Sequence, residues 1–297
     1  MKNIHLSFKD QRQDLNRTTL SLSTGSIYIY SKDNTIRNNA NTRDIKIYSE
    51  NQVIKHNRNC ANIYIYANNQ LVRNNKCGRV YINADNVIIK QNITSRMTIA
   101  EGHKDNKILQ NKITYDYVDY YSLHIYRLNT VVIKNNVIYN SYYRNRYGNV
   151  LNIEDSCNVS VINNVIKCHS HGAAITLPPE THAFFVNNII YSKNVSSLGE
   201  YHYNLFTDYV LNSNNNINKD PDFISYYNYH LSSGSPAIGA GQNGTDMGIY
   251  GGDTPYVDNW SDSSSILPII TQIKAEPIVA EGTQGLDISI KANAGSE

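Results

Sequence analysis

The string IYIYANNQLVRNN at 63–75 belongs to a series. IYIYSKDNTIRNN stands at 27–39, IKIYSENQVIKHN at 45–57 and VYINADNVIIKQN at 80–92, so one unit is rewritten every 17 or 18 residues. Aligned on the asparagine near the end of each unit, Asn39, Asn57, Asn75, Asn92, Asn111, Asn136, Asn164 and Asn188 fall in one column. Twelve to fourteen residues before each lies an apolar-x-apolar pair, from Ile27/Ile29 and Ile45/Ile47 to Leu151/Ile153 and Ile175/Leu177. The alternation inside a unit has period two, which specifies short strands rather than helices. Short strands at a fixed period of this length, with no helical segment between them, specify a β-solenoid.

A left-handed β-helix has a turn of similar length but needs small apolar residues every sixth position, and from Ile29 that falls on Thr35 and Asn41. The pattern fails, and later units swell well beyond 18 residues. The expected fold is therefore all-β, a right-handed parallel β-helix over 27–252. Residues 1–26 read as an incomplete first rung or extension. A polar linker follows at 253–265, and 266–297 forms a short C-terminal β segment around EGTQG, either a cap or part of a further module. Stacked turns lie about 4.8 Å apart. The column asparagine is expected to adopt the left-handed turn conformation that Asn tolerates, and its amide to bond from turn to turn.

Three strings, VIKNNVIYNS at 132–141, SVINNVIKC at 160–168 and FFVNNIIYS at 184–192, look like rungs of the pectate-lyase-like β-helix superfamily. The closing DPDFISYYNYHLSSGSPAIGAGQNGTDMGIYGG at 220–252 resembles the last rungs of secreted bacterial β-helix proteins. The resemblance implies an extracellular or cell-surface protein whose partner is a polysaccharide, acting as a polysaccharide lyase or glycoside hydrolase, with calcium as cofactor if it is a lyase. A fold does not fix a reaction, so a non-catalytic, adhesin-like polysaccharide-binding solenoid is the alternative.

Composition narrows this further. Net charge is +2 and charged residues are 18%, so no strong overall field points to nucleic acid or membrane. No apolar run is long enough to insert in a bilayer, and the first residues, MKNIHLSFKDQRQDLNR, lack the apolar core of a signal peptide. Cys60 and Cys77 lie one unit apart; stacked reduced thiols are the favoured reading, with a disulfide the alternative.

Alternation that turns Ile63 and Ile65 inward turns Tyr64 and Tyr66 outward. Tyr28, Tyr30, Tyr48 and Tyr81 follow in the same register, then His124 and Tyr126. Aromatic rings on an outer face can take sugar rings, or they can serve only to stabilise the sheet. Longer connections enter on consecutive turns at 112–122, 137–150 and 165–174, and are expected to stack as a wall carrying Asp116, Asp119, Arg144, Arg146, His169 and His171. Beside it, Glu154 and Asp155 followed by His171 resemble the Asp-Asp and His-Gly arrangement of polygalacturonases, which would make them an acid/base set. The Glu-Asp pair and the shorter interval to the histidine depart from that pattern. Elimination instead needs a base and a neutralising cation, for which His124, Tyr126, Arg127, Arg144 and Arg146 are available. The candidate catalytic residues are thus Glu154, Asp155, His171, His124 and Arg144. Tyr64, Tyr66, Tyr81, Tyr126, Arg146 and His169 are the candidate substrate contacts.

Overall fold

The computed structural model describes residues 25–115, 121–141, 149–168, 172–211 and 213–258, together with the backbone of 4–6, 269–280 and 283–293. The chain divides into two units, 1–258 and 259–297.

The first unit is the expected right-handed parallel β-helix, with a 15-stranded and a nine-stranded sheet whose neighbours run parallel. A turn consists of three strands, as in Leu123–Ile125, Thr130–Lys134 and Val137–Asn140. The first carries the outward tyrosines in early turns and is called the tyrosine face. The second and third faces meet at the asparagine column. In early turns the third strand runs directly into the next tyrosine-face strand, giving the long strands Arg58–Ile65, Lys76–Ile82 and Ile93–Ile99. Ile4–Leu6 pairs in parallel with Ile27–Ile29, placing part of a preceding rung there.

Apolar residues stack because identical positions are paired from turn to turn. Ile27, Ile45, Ile63, Val80, Met97, Leu123, Leu151 and Ile175 form one continuous buried row. The asparagine column is buried beside it and forms a hydrogen-bonded ladder. Asn57 Nδ2 donates to Asn75 Oδ1 at 2.9 Å, Asn111 Nδ2 to Asn136 Oδ1 at 3.0 Å, and Asn164 Nδ2 to Asn188 Oδ1 at 3.0 Å. The ladder runs on through Asn204 to Asn216, beyond the column read from sequence.

One expectation is corrected. The left-handed residue is the one before the column: Asn74 has φ 55°, Asn135 53°, Asn163 53° and Asn187 56°. The column asparagine points inward, where its amide satisfies backbone groups of two turns. The turn is made by its neighbour, which Asn, His56 and Gln91 all fill. Cys60 and Cys77 are register partners and both are free thiols, as are Cys157 and Cys168.

The expected wall is also shorter than its sequence limits. Lys112–Tyr115, Val137–Asn140 and Val165–Cys168 are third-face strands that pair in parallel and bury Ile113, Ile138 and Ile166 in one row. Asp116, Asp119, Arg144, Arg146, His169 and His171 lie outside the described residues.

Parallel pairing ends at Ile217–Asn218, and the closing segment does not add further rungs. Phe223–Ser225 and Asn228–Leu231 form an antiparallel hairpin. The following strap covers the outer side of the third face, where Val137, Val165, Ile189 and Leu205 pack against Tyr229, Ala237, Met247 and Ile249. The left-handed corner residues fasten it. Asn135 Nδ2 donates to the carbonyls of Ile249 and Gly251, and Asn163 Nδ2 to those of Asp246 and Gly248. Gly248 is required there: its φ is +87°, and a Cβ would lie 2.7 Å from Ile189 Cδ1. Residues from the stretch read as a linker also join this unit, since Lys134 pairs with Asp253 and Tyr250 Oη donates to Asp258.

Under the hairpin, Lys167 is buried in the column Tyr139–Lys167–Tyr191. Its Nζ lies 3.4 Å from the Tyr226 ring centroid and 5.0 Å from that of Tyr191. Burial pushes its pKa down to about 8, partly offset by Asp220. The fold therefore holds fewer protons at this site than the unfolded chain between about pH 8 and the ordinary 10.5, so stability rises with pH across that window. Lys167→Met keeps the packing and removes the desolvated charge. A gain of about 1 kcal/mol is expected at pH 7 after a cation–π loss of comparable size, shrinking towards pH 10. Denaturant titrations at both pH values check it, and a variant less stable at pH 7 would show the cation–π contacts to dominate.

In the second unit Ile269–Ala280 and Thr283–Asn293 pair as an antiparallel hairpin.

Candidate functional site

Two outward columns run along the tyrosine face. The register aligns Tyr28, Lys46, Tyr64, Tyr81, Thr98, His124, Asn152 and Thr176. Two residues further along each strand stand Tyr30, Tyr48, Tyr66, Asn83, Ala100, Tyr126 and Glu154, each of the last six donating its N–H to the strand of the turn before. Most of the tyrosines thus lie in the N-terminal half of the face, and the histidine and the carboxylate lie in the C-terminal half.

The tyrosine rings pack on one another. Tyr30 and Tyr48 have centroids 5.1 Å apart at 7°, and Tyr48 and Tyr66 5.1 Å apart at 13°. Stacking along the axis uses the ring faces within the protein, so the row presents edges and hydroxyls outward. Lys46 fits between Tyr28 and Tyr64, its Nζ 5.3 and 5.5 Å from their centroids. Tyr64 and Tyr81 are tilted by 53°.

Thirty residues apart in sequence, His124 and Glu154 meet on adjacent turns. His124 Nε2 is 2.8 Å from Glu154 Oε1. An ionised carboxylate can only accept, so the imidazole proton is on Nε2 and Nδ1 is left as the basic nitrogen. Among the described residues nothing hydrogen-bonds Nδ1. Two rings hold the imidazole: Tyr126 stacks on it at 4.1 Å, and Tyr121 leans against it at 5.0 Å. Burial lowers the His124 pKa. The Glu154 bond opposes that shift and the charge of Arg96 adds to it. His124 is thus a neutral, oriented base at pH 7.

Next to the pair is a shallow depression of about 400 Å³ lined by Asn152, Glu154, Asp155, Thr176, Leu177 and Pro178. Thr181 Oγ1 donates to the Glu154 carbonyl, fixing the strand end that carries both carboxylates. Arg127 is committed elsewhere, to both oxygens of Glu101 at 3.0 and 3.3 Å.

The structure therefore brings together His124, Tyr126, Glu154 and Asp155, while Tyr64, Tyr66 and Tyr81 lie on the same face in earlier turns. Arg144, Arg146, His169 and His171 cannot be placed, being outside the described residues. Sequence reasoning named His124 and Glu154 separately and missed their bond, as well as the roles of Tyr121 and Arg96. Register was the available signal, since the two outward positions are diagonal neighbours once 123–125 is paired with 151–153. Among the described residues no group of three or more His, Cys, Asp or Glu side chains gathers as a metal site, so the calcium implied by a lyase finds no ready donor set there.

Comparison with protein-family models, with curated proteins and with solved structures gave no match to this chain.

Proposed function

We propose that this β-helix is an extracellular or cell-surface protein that binds an acidic polysaccharide along the tyrosine face and cleaves it by β-elimination at His124. One observation carries the reading. A neutral histidine, oriented by a carboxylate and flanked by tyrosine, stands at the end of a hydroxyl-lined face and beside an open depression. Elimination removes the proton alpha to a uronate carboxyl, and Nδ1 of His124 suits that step. Glu154 holds the ring and stabilises the imidazolium formed. The Arg96 charge, close enough to depress the His124 pKa, favours the enolate-like carboxylate. The electron pair from the broken C–H bond forms the double bond, and the glycosidic oxygen leaves with the pair of its broken C–O bond and takes a proton from solvent. Membership of the pectate-lyase-like superfamily fits this reading. It rests on the rung strings and on the parallel, asparagine-laddered solenoid. The test is incubation of the protein with acidic and neutral polysaccharides. Reducing ends with ultraviolet absorbance from unsaturated uronates are expected, and reducing ends without absorbance would make it a hydrolase.

The non-catalytic reading has its own support in the stacked tyrosines, which extend several turns from His124. Tyr64→Ala with Tyr66→Ala should cut retention on a polysaccharide gel by about tenfold, by removing two outward ring edges and their hydroxyls. Unchanged retention would reduce the row to sheet stabilisation.

A further inference from the structure

Cys60 and Cys77 meet because one strand carries an extra residue. Arg58 is in register with Lys76, and an unbroken count from there would set Asn59 over Cys77 and Cys60 over Gly78. Asn59 instead adopts φ 52°, and the register resumes with Cys60 paired to Cys77 and Asn62 to Arg79. A residue added to one strand in this way re-aims the side chain beside it. Gly78 lets the strands close again, since a Cβ there would lie 2.4 Å from the Ala61 carbonyl oxygen. Both thiols end up inside, 3% and 7% exposed, within the apolar core.

Other turns fill the same row without sulfur. It continues through Thr94 to Ile113, Ile138 and Ile166, one position per turn. A buried cysteine can act simply as a small apolar side chain, but these two also touch. A hydrogen bond with the Cys77 thiol, and then burial, push the Cys60 thiol well above its ordinary range. Cys60 Sγ lies 3.7 Å from the Lys76 carbonyl oxygen, on the residue next to Cys77. The remaining cysteines are engaged differently: Cys168 is paired with Asn140, and Cys157 Sγ donates to the Tyr126 carbonyl at 3.0 Å.

We infer that Cys60 and Cys77 are a cross-linking site, forming a disulfide between two neighbouring turns when the chain folds in contact with a small-molecule disulfide. Register partners on parallel strands lie about 4.8 Å apart, inside the Cα separation of about 4.4–6.8 Å that a disulfide spans. Closure draws the Cβ atoms together by about 1 Å, an adjustment the bulge at Asn59 can absorb. One protein thiolate attacks the small disulfide, releasing a small thiol and leaving a mixed disulfide. The second thiolate attacks the protein sulfur of that bond and releases the other small thiol. Two protein thiols are thereby oxidised, one disulfide is reduced, and the two protons end on the released thiols. In the closed fold, burial suppresses the thiolate, so the bond forms as the turns stack. It fixes the spacing of Arg58–Ile65 and Lys76–Ile82, the strands that carry Tyr64 and Tyr81. The inference does not rest on the His124 reading.

The test is refolding of the full, reduced chain in a buffer of glutathione and glutathione disulfide, followed by alkylation of the remaining thiols and peptide mapping. The expected product joins Cys60 to Cys77 and leaves Cys157 and Cys168 alkylated. Its thermal midpoint should lie about 5 °C above that of the chain refolded with a reductant, because the cross-link restricts the unfolded chain. Cys77→Ala refolded in the same buffer should lose both the cross-linked peptide and the rise. The comparison of oxidised with reduced wild type needs no variant, so it stands if Cys77→Ala fails to fold. A chain that keeps all four thiols open to alkylation would overturn the inference, as would pairing of Cys60 or Cys77 with Cys157 or Cys168. A Cys60–Cys77 bond that lowers the midpoint would also overturn it, by showing that the turns must be distorted to close it.

Discussion

Asn164→Ala is expected to destabilise the solenoid by about 3–5 kcal/mol, among the largest effects of any single side chain outside the apolar rows. Asn164 is fully buried in the middle of the ladder. Its Nδ2 donates to the carbonyls of Ile133 and Ile162, each at 2.9 Å, and to Asn188 Oδ1 at 3.0 Å. Its Oδ1 accepts from both nitrogens of Asn136, at 2.9 and 3.0 Å. Alanine leaves the Asn136 N–H and the Ile133 carbonyl buried with no replacement partner, at about 1–3 kcal/mol each. The same change at Asn216, at the end of the ladder and only partly buried, should cost about 1 kcal/mol because water can reach its partners. Thermal and denaturant unfolding of the two variants measure the difference. Equal, small losses at both positions would mean that the ladder decorates a stack held by its isoleucines.

His124→Gln is expected to lower turnover of an acidic polysaccharide by about 10²–10⁴, the usual contribution of a positioned general base. Glu154→Gln keeps an acceptor for Nε2–H but removes the charge that stabilises the imidazolium, and should cost about tenfold with KM little changed. The pH profile gives a sharper reading. Burial holds the His124 pKa below the ordinary 6.5, so the acid limb of activity should fall below that value and be absent at neutrality. Stability follows the same group. The fold binds fewer protons than the unfolded chain just below pH 6.5, so its contribution is complete above that value and is lost as pH falls towards the folded pKa. His56, also lowered, acts in the same direction. His124→Gln should therefore flatten part of the loss of stability between pH 7 and 5. An acid limb centred at or above 6.5 would indicate a solvated histidine and a different base.

The fold was legible because a strict period leaves little choice. Apolar pairs twelve to fourteen residues before a buried asparagine force every inward position of one turn over the same position of the next. Which member of each Asn pair makes the turn was not legible, since both are asparagines in most rungs and only the backbone separates Asn135 from Asn136. The third face was read as connection because its outward residues, such as Lys112, look like loop. Its pairing becomes evident only once Val137 and Val165 are seen beneath the strap. For the site, single outward residues such as His124 and Glu154 were readable, but not their contact, which depends on how many residues enter between Asn140 and Val150. Arg96 carries no signal in its own unit. It matters through a charge felt one turn away.

Nuclear magnetic resonance titration of the histidine ring protons, with His124 assigned through His124→Gln, reads the site directly when short uronate oligomers are added. The His124 resonances should start with a pKa below the ordinary 6.5 and move on addition of oligomer, and Glu154→Gln should weaken the response. His124 resonances that do not move while the oligomer binds elsewhere would contradict a base at His124, as would a His124 that titrates like a free imidazole.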